Sequence, residues 1–276
     1  MPTSRLRSAI VAYTILGAAV ILTLGPLSLA VLTSLRGPSD FLRQGVMHLP
    51  DPLTLANYEE LFTGATSFLT PFAVTGQMVA VILVGQIVFS TLAAYAFAFL
   101  RFPGRDAMFW VFVSTLMVPQ VVVVVPLYLA FAEMGLRNTF WALVLPFVFG
   151  SPYAVFLLRE NFRSMPQELL DAMRVDGAGH GRLLWNLIVP LNRPILVTLV
   201  VITVVTHWNS FIWPLVITSG PTWQTLTVAT ATLSTEHNQQ WTVVMAATTL
   251  AMIPLILLYL VFQRQVARSI GGTELR

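Results

Sequence analysis

The sequence predicts an all-α membrane protein with six transmembrane helices. Three observations carry the prediction. First, 56% of the 276 residues are hydrophobic and only 10% are charged, against about 25% charged in an ordinary soluble domain. Second, the charges leave six apolar runs close to the ~20 residues a helix needs to cross the hydrocarbon. Third, the cations concentrate in alternate loops between those runs. This composition excludes an ordinary soluble enzyme, a disordered chain and a nucleic-acid-binding domain. The pI near 9.7 therefore concerns topology before it concerns ligands.

The runs lie approximately at residues 8–35, 71–100, 107–131, 140–158, 194–217 and 243–262. Together they make one transmembrane domain over residues 1–276 and leave no room for a separate soluble domain. Arg5 and Arg7 precede the first run as they would in a signal peptide. The run is too long for that and shows no clear small-residue cleavage site, so an uncleaved first helix is expected. All fifteen basic residues are arginine. With the N-terminus in the cytoplasm, twelve of them fall inside; only Arg36, Arg43 and Arg137 fall outside. The twelve acids divide evenly. Both termini are then cytoplasmic.

Several chemistries are absent. There is no cysteine, so disulfides and thiolate sites are out. There is no lysine, so no nucleotide-binding P-loop is possible. Gly177–Gly181 is glycine-rich but follows no strand, and reads as a turn between short helices. The four histidines are scattered and form no metal motif. No acid falls well inside a span. His207 does, and its ring is expected to hydrogen-bond inside the bundle rather than relay protons. A chain that moves solute without an engine of its own calls for a partner that supplies one.

The inner loop 159–193 holds the strongest local signal. Met165–Ala178 reads as a short amphipathic helix. Pro166 suits its first turn, Glu168 its positive dipole end, and Gly177 a left-handed C-terminal cap. A second short helix is expected over Arg182–Ile188. Leu169, Leu170, Met173 and Val175 give the pair apolar surface, which fits equally a helix lying on lipid headgroups and one that docks a partner. In the fifth run, Thr206, Trp208, Asn209 and Ser210 form a polar and aromatic patch. It suits a solute pathway and interhelical hydrogen bonds alike. The outer loop 218–242 carries Thr235, Glu236, His237, Asn238, Gln239 and Gln240 between tryptophans. Those residues suit contact with an outside partner or a solvated loop with interfacial anchors. Ser90, Ala94 and Ala98 are spaced for close helix approach.

At this point a family resemblance appears. Asp171-Ala172-Met173, then Asp176-Gly177-Ala178, then Pro190 and Pro194 resemble the EAA loop of binding-protein-dependent ABC importer permeases. The family's Glu-Ala-Ala is here Asp-Ala-Met. Arg101-Phe102-Pro103-Gly104-Arg105, Val118-Pro119, Pro126-Leu127-Tyr128, Trp208-Asn209-Ser210-Phe211-Ile212-Trp213-Pro214, Met245-Ala246-Ala247, Ile253-Pro254 and Gln263-Arg264 resemble the carbohydrate-uptake class, the smaller maltose-type permease in particular. The tail, Gly271-Gly272-Thr273, departs from that class in lacking lysine.

The resemblance covers nearly the whole chain. It implies a type I importer permease fold in a bacterial plasma (inner) membrane. It implies four kinds of partner: a second permease subunit, a dimer of ATP-binding subunits, an extracytoplasmic solute-binding protein and the lipid itself. ATP and magnesium belong on the ATPase, so this chain is expected to hold no cofactor or metal and to be no enzyme. The EAA loop becomes the coupling helix, with Glu168, Asp171, Met173, Arg174, Asp176 and Gly177 touching the ATPase. Thr206, Trp208, Asn209 and Ser210 become pathway-lining candidates, and Thr235–Gln240 candidates for contact with the binding protein. The expected cargo is a sugar or sugar-like solute: an oligosaccharide, an amino sugar, or a glycerol phosphate or its diester. A stand-alone secondary transporter or channel is the alternative, and a membrane scaffold a third.

Overall fold

A computed structural model describes residues 2–45, 48–63, 67–236 and 240–271. Among them there are helices and no strands. Among the described residues, three helices are long and apolar enough to cross a membrane. They are Ser8–Ser34 within α1 (Pro2–Ser34), α4 (Leu69–Phe99), and Trp241–Gln263 within α15 (Trp241–Gly271). At 1.5 Å per residue, each exceeds the ~30 Å hydrocarbon thickness. Contacts divide the chain into two compact units: residues 1–69 with 229–254, and residues 70–228 with 255–276.

In the first unit, α1 is apolar all round. Only 6% of its best window is buried within the chain, and Ile10, Tyr13, Ile21 and Leu22 are exposed. An apolar helix without a buried face needs lipid or another protein around it. Its C-terminal end is tied down by the following loop, which contains α2 (Pro38–Gln44) and α3 (Ala56–Thr63). Asn57 donates from Nδ2 to the Ser34 and Arg36 carbonyls, at 2.7 and 2.8 Å. It thereby satisfies acceptors that the helix end leaves open.

In the second unit, α5 (Arg105–Ser114) runs through a 3-10 turn to Met117 and then bends by 101° into α6 (Gln120–Glu133). The third predicted run is thus one sharply bent pair. The cause is Pro119, which biases Val118 to extended backbone; Val118 has φ −82° and ψ 117°. The fourth run is not the continuous helix expected over 140–158. α7 (Phe140–Val144) stops, and α8 (Pro152–Arg163) begins only after an irregular stretch. Pro146, Gly150 and Pro152 interrupt the chain there. The freed backbone is taken up against α4. Gln86 donates to the Phe147 carbonyl at 2.9 Å, and Ser151 N–H donates to Ser90 Oγ at 3.2 Å. A Cβ on Gly85 would lie 2.3 Å from the Val148 carbonyl oxygen, so glycine alone permits this approach. Ser90 and Ala94 are fully buried at this seam, whereas Ala98 is half-buried.

The inner loop contributes α9 (Gln167–Val175) and α10 (His180–Leu183). A π-helical segment Leu184–Ile188 follows, then α11 (Val189–Leu191). A 78° bend leads into α12 (Arg193–Trp208). The fifth run breaks again at 209–211 before α13 (Ile212–Ile217). Within the loop 218–242 lies α14 (Leu226–Glu236), with Leu226, Val228, Ala229 and Leu233 buried. That segment is a packed helix, because its apolar residues have somewhere to bury.

Candidate functional site

α9 starts at Gln167, two residues after the expected start at Met165, so Pro166 lies just outside the helix instead of in its first turn, while Glu168 is in the first turn. Its end is a Schellman turn. Gly177 adopts φ +75°. Its N–H donates to the Arg174 carbonyl at 3.0 Å, and the Ala178 N–H donates to the Met173 carbonyl at 3.0 Å. This is the pattern expected of a glycine C-cap. A side chain at Gly177 would have room, but the left-handed backbone costs an L-residue about 1–2 kcal/mol.

The helix has two faces. Leu170 is fully buried in a core built from Ala94, Tyr95, Phe109, Leu158, Phe162, Leu183 and Ile188. Burying one leucine contributes about 1.5–3 kcal/mol. Met173 packs half-buried on the same core, so only part of its side chain is open to a partner. Glu168, Asp171, Ala172 and Val175 form the opposite, exposed stripe at helical spacing, and Val175 is 88% exposed. Val175 was no part of the expected contact set, although its spacing four residues after Asp171 could have placed it there. Arg174 pairs with Asp171 at 2.9 Å on the surface, and Asp176 and Gly177 are exposed beside them.

The knob is anchored at several points. The Tyr95 hydroxyl on α4 hydrogen-bonds His180 Nδ1 at 2.7 Å. Asn192, buried at the 78° bend, donates to the Ile188 carbonyl at 2.8 Å and to Met165 Sδ at 3.2 Å. Arg159, 4% exposed, donates from Nε to the Phe97 carbonyl at 3.3 Å. It also pairs with Asp106 at 3.2 Å and Glu160 at 2.9 Å, and lies 3.8 Å over the Phe109 ring. Sequence reasoning missed these ties, since no local pattern pairs Tyr95 with His180 or Arg159 with Asp106.

The polar patch of α12 also divides. Thr206 and Asn209 are exposed one turn apart, and Ser210 is half-buried. Trp208 is buried, edge-on to Phe72 at 5.7 Å, so it packs the core instead of lining a path. His207 is buried too. Gln86 Nε2 lies 3.1 Å from His207 Nε2, and Thr203 donates to Gln86 Oε1 at 3.3 Å. The histidine is thus held inside the bundle by a satisfied network.

Of the outer-loop candidates, Thr235 and Glu236 close α14, and Gln240 is exposed. His237, Asn238 and Gln239 lie outside the described residues. Among the described residues, no group of three or more acidic or histidine side chains could hold a metal ion.

Fold and site together define a class: a multi-pass helical membrane protein with a rigid, capped knob projecting from its core. The family model for the binding-protein-dependent transport system inner membrane component matches residues 86–272. The chain belongs to this family. It is 31% identical over 253 residues to the arabinooligosaccharides transport system permease protein AraQ of Halalkalibacterium halodurans, covering 90% of each chain. It is 34% identical over 262 residues to the sn-glycerol-3-phosphate transport system permease protein UgpE of Yersinia pestis, covering 92% of this chain and 93% of that one. Among solved structures, its fold is similar to a chain of a bacterial ABC transporter involved in the import of the acidic polysaccharide alginate. The TM-score is 0.82 at 23% identity, covering 95% of this chain and 97% of that chain. The same fold recurs, at a TM-score of 0.67, in an alginate ABC transporter in complex with an alginate pentasaccharide-bound periplasmic protein.

Proposed function

We propose that the chain is a permease subunit of an ATP-driven, binding-protein-dependent importer of a sugar or sugar-like solute. It forms half of the translocation pathway, and a second permease forms the other half. The observation that carries the reading is α9: one face is rooted in the membrane-domain core through Leu170, and the other offers Glu168, Asp171 and Val175 to solvent. A capped helix anchored this way transmits a push as a lever. ATPase subunits, holding ATP and magnesium, supply that push from the cytoplasm.

Six crossings follow in this reading. Three are the continuous helices and two the bent pairs; the broken stretch from Phe140 to Arg163 is the sixth. Both termini lie in the cytoplasm, on the arginine-rich side. Thr206 and Asn209 face the pathway, and the loop around residues 235–240 meets the solute-binding protein. The relatives' names point to an oligosaccharide or a glycerol phosphate as cargo.

The test is reconstitution. Uptake into proteoliposomes requires this chain, a second permease, the ATPase and the binding protein together. Solute transport by this chain alone would replace the reading with a stand-alone carrier. Because the protein has no cysteine, single cysteines at Gly104 and Gly181 report topology without background. Both should react with a membrane-impermeant reagent only from the cytoplasmic side.

A further inference from the structure

Two concavities open side by side at the arginine-rich end of the second unit. One, of about 470 Å³, is lined by Arg101, Phe102, Gly104, Arg105, Asp106 and Ala107. The other, of about 460 Å³, is lined by Asp106, Trp110, Phe156, Arg159, Glu160 and Arg163. They share Asp106, and neither is lined by α9, so they stand apart from the coupling helix itself, although the second touches the start of the inner loop at Arg159, Glu160 and Arg163.

Four arginines face two carboxylates here. Asp106 pairs with Arg105 and Arg159, and Glu160 with Arg159. Among the described residues, Arg101 and Arg163 form no ion pair, and both are exposed. The cluster therefore keeps a net positive charge. Its floor is built rather than loose, because Arg159 is buried and held by the Phe97 carbonyl and the Phe109 ring. Beside the cations the surface turns apolar: Met108, Trp110 and Val111 are 57%, 60% and 69% exposed. A basic rim directly above an exposed apolar and tryptophan face matches the two halves of a phospholipid.

We propose that this double concavity binds the headgroup of an anionic phospholipid. The guanidinium groups of Arg101 and Arg163 bond the phosphate oxygens, for which their planar fork is suited. Trp110 and Phe156 cover the glycerol backbone. Met108 and Val111 flank the start of the acyl chains. Phosphate chemistry is common to lipid and to free anions, and the apolar face selects the lipid.

The experiment measures lipid retention by the purified full chain, and by the assembled complex, in mixed micelles of phosphatidylglycerol and phosphatidylcholine, using native mass spectrometry. The wild type retains phosphatidylglycerol selectively. The double variant Arg101→Gln/Arg163→Gln loses about thirtyfold in phosphatidylglycerol affinity, at about fivefold per cation, with phosphatidylcholine unchanged. Arg101→Lys/Arg163→Lys keeps the charge but not the planar fork, so it retains more affinity than the glutamine pair but less than the wild type, and shows that charge, not folding, is read out. Equal retention of both lipids by the wild type, or an unchanged double variant, overturns the proposal. So does displacement of the lipid by excess inorganic phosphate, which would mark a free-anion site. Selectivity in the isolated chain that disappears in the complex would mark a protein interface and overturns it as well.

Discussion

Arg36 and Arg159 are both buried arginines in a membrane protein, and they are used differently. Arg36 is fully buried. It pairs with Asp40 at 2.7 Å, donates to the Asp40 and Gly45 carbonyls, and lies over Phe41. All partners of its guanidinium lie within nine residues, so the side chain knots one loop. Arg159 reaches across 62 residues to Phe97 and 53 residues to Asp106. It joins α4, α5 and α8 just ahead of the knob. A local knot fixes the shape of a loop. A long-range tie makes several helices move together, which a lever requires.

The sharpest way to break the lever half of the comparison is Gly177→Pro. Proline cannot adopt φ +75° and has no N–H for the Arg174 carbonyl. Solute uptake by the reconstituted complex falls to background while membrane insertion is normal. Ordinary solute-stimulated ATPase activity in that variant would remove the coupling role. Next, Arg159→Met takes the cation from Glu160 and the donor from the Phe97 carbonyl, while Asp106 keeps Arg105. It costs about 1–3 kcal/mol, chiefly through the unsatisfied Phe97 carbonyl and lost packing, read as a lower unfolding midpoint in detergent. A loss below about 0.5 kcal/mol would instead rank it with surface ion pairs. Gly85→Ala pushes a methyl group into the Val148 carbonyl, at a cost of about 1–3 kcal/mol. Thermal unfolding measures it, and an unchanged midpoint would mean the seam is loose.

The local knot is sharpened by pH. The hydrogen bond and charge of Arg36 hold the Asp40 carboxyl below its ordinary range. The sign follows: the stabilisation is complete above the ordinary value of about 3.9 and is lost as pH falls through the lower folded value. Protection of the 36–60 loop from proteolysis should persist at about pH 5 and fade below about 3.9. In Asp40→Asn that pH dependence disappears. The smallest effect belongs to the exposed Asp171–Arg174 pair. Arg174→Ala changes stability by about 0.5 kcal/mol or less, so any larger loss of transport in that variant reports on the ATPase contact.

Much of the coupling loop was legible from residue order. Gly177 announced its left-handed cap, and Pro166, Glu168 and Asp176 bracketed the helix to within a residue or two. The broken fourth run was less legible. Pro146, Gly150 and Pro152 gave the signal, but the apolar content between them outweighed it. The π segment at Leu184–Ile188 left no local mark at all. The anchoring of His207 in the bundle was readable from its isolation in an apolar run, whereas its partner Gln86, 121 residues away, was not.

The sequence by itself determined that the chain is a membrane protein, which loops carry the arginines, and where its short inner helix stops. Those properties depend on composition and on conformational preferences spanning a few residues. Only the tertiary structure decided that Leu170 faces the core while Val175 faces solvent, that Trp208 packs while Thr206 and Asn209 stay open, and that Arg159 binds three segments into one body. Burial and hydrogen bonding are properties of what lies opposite, and what lies opposite comes from far along the chain.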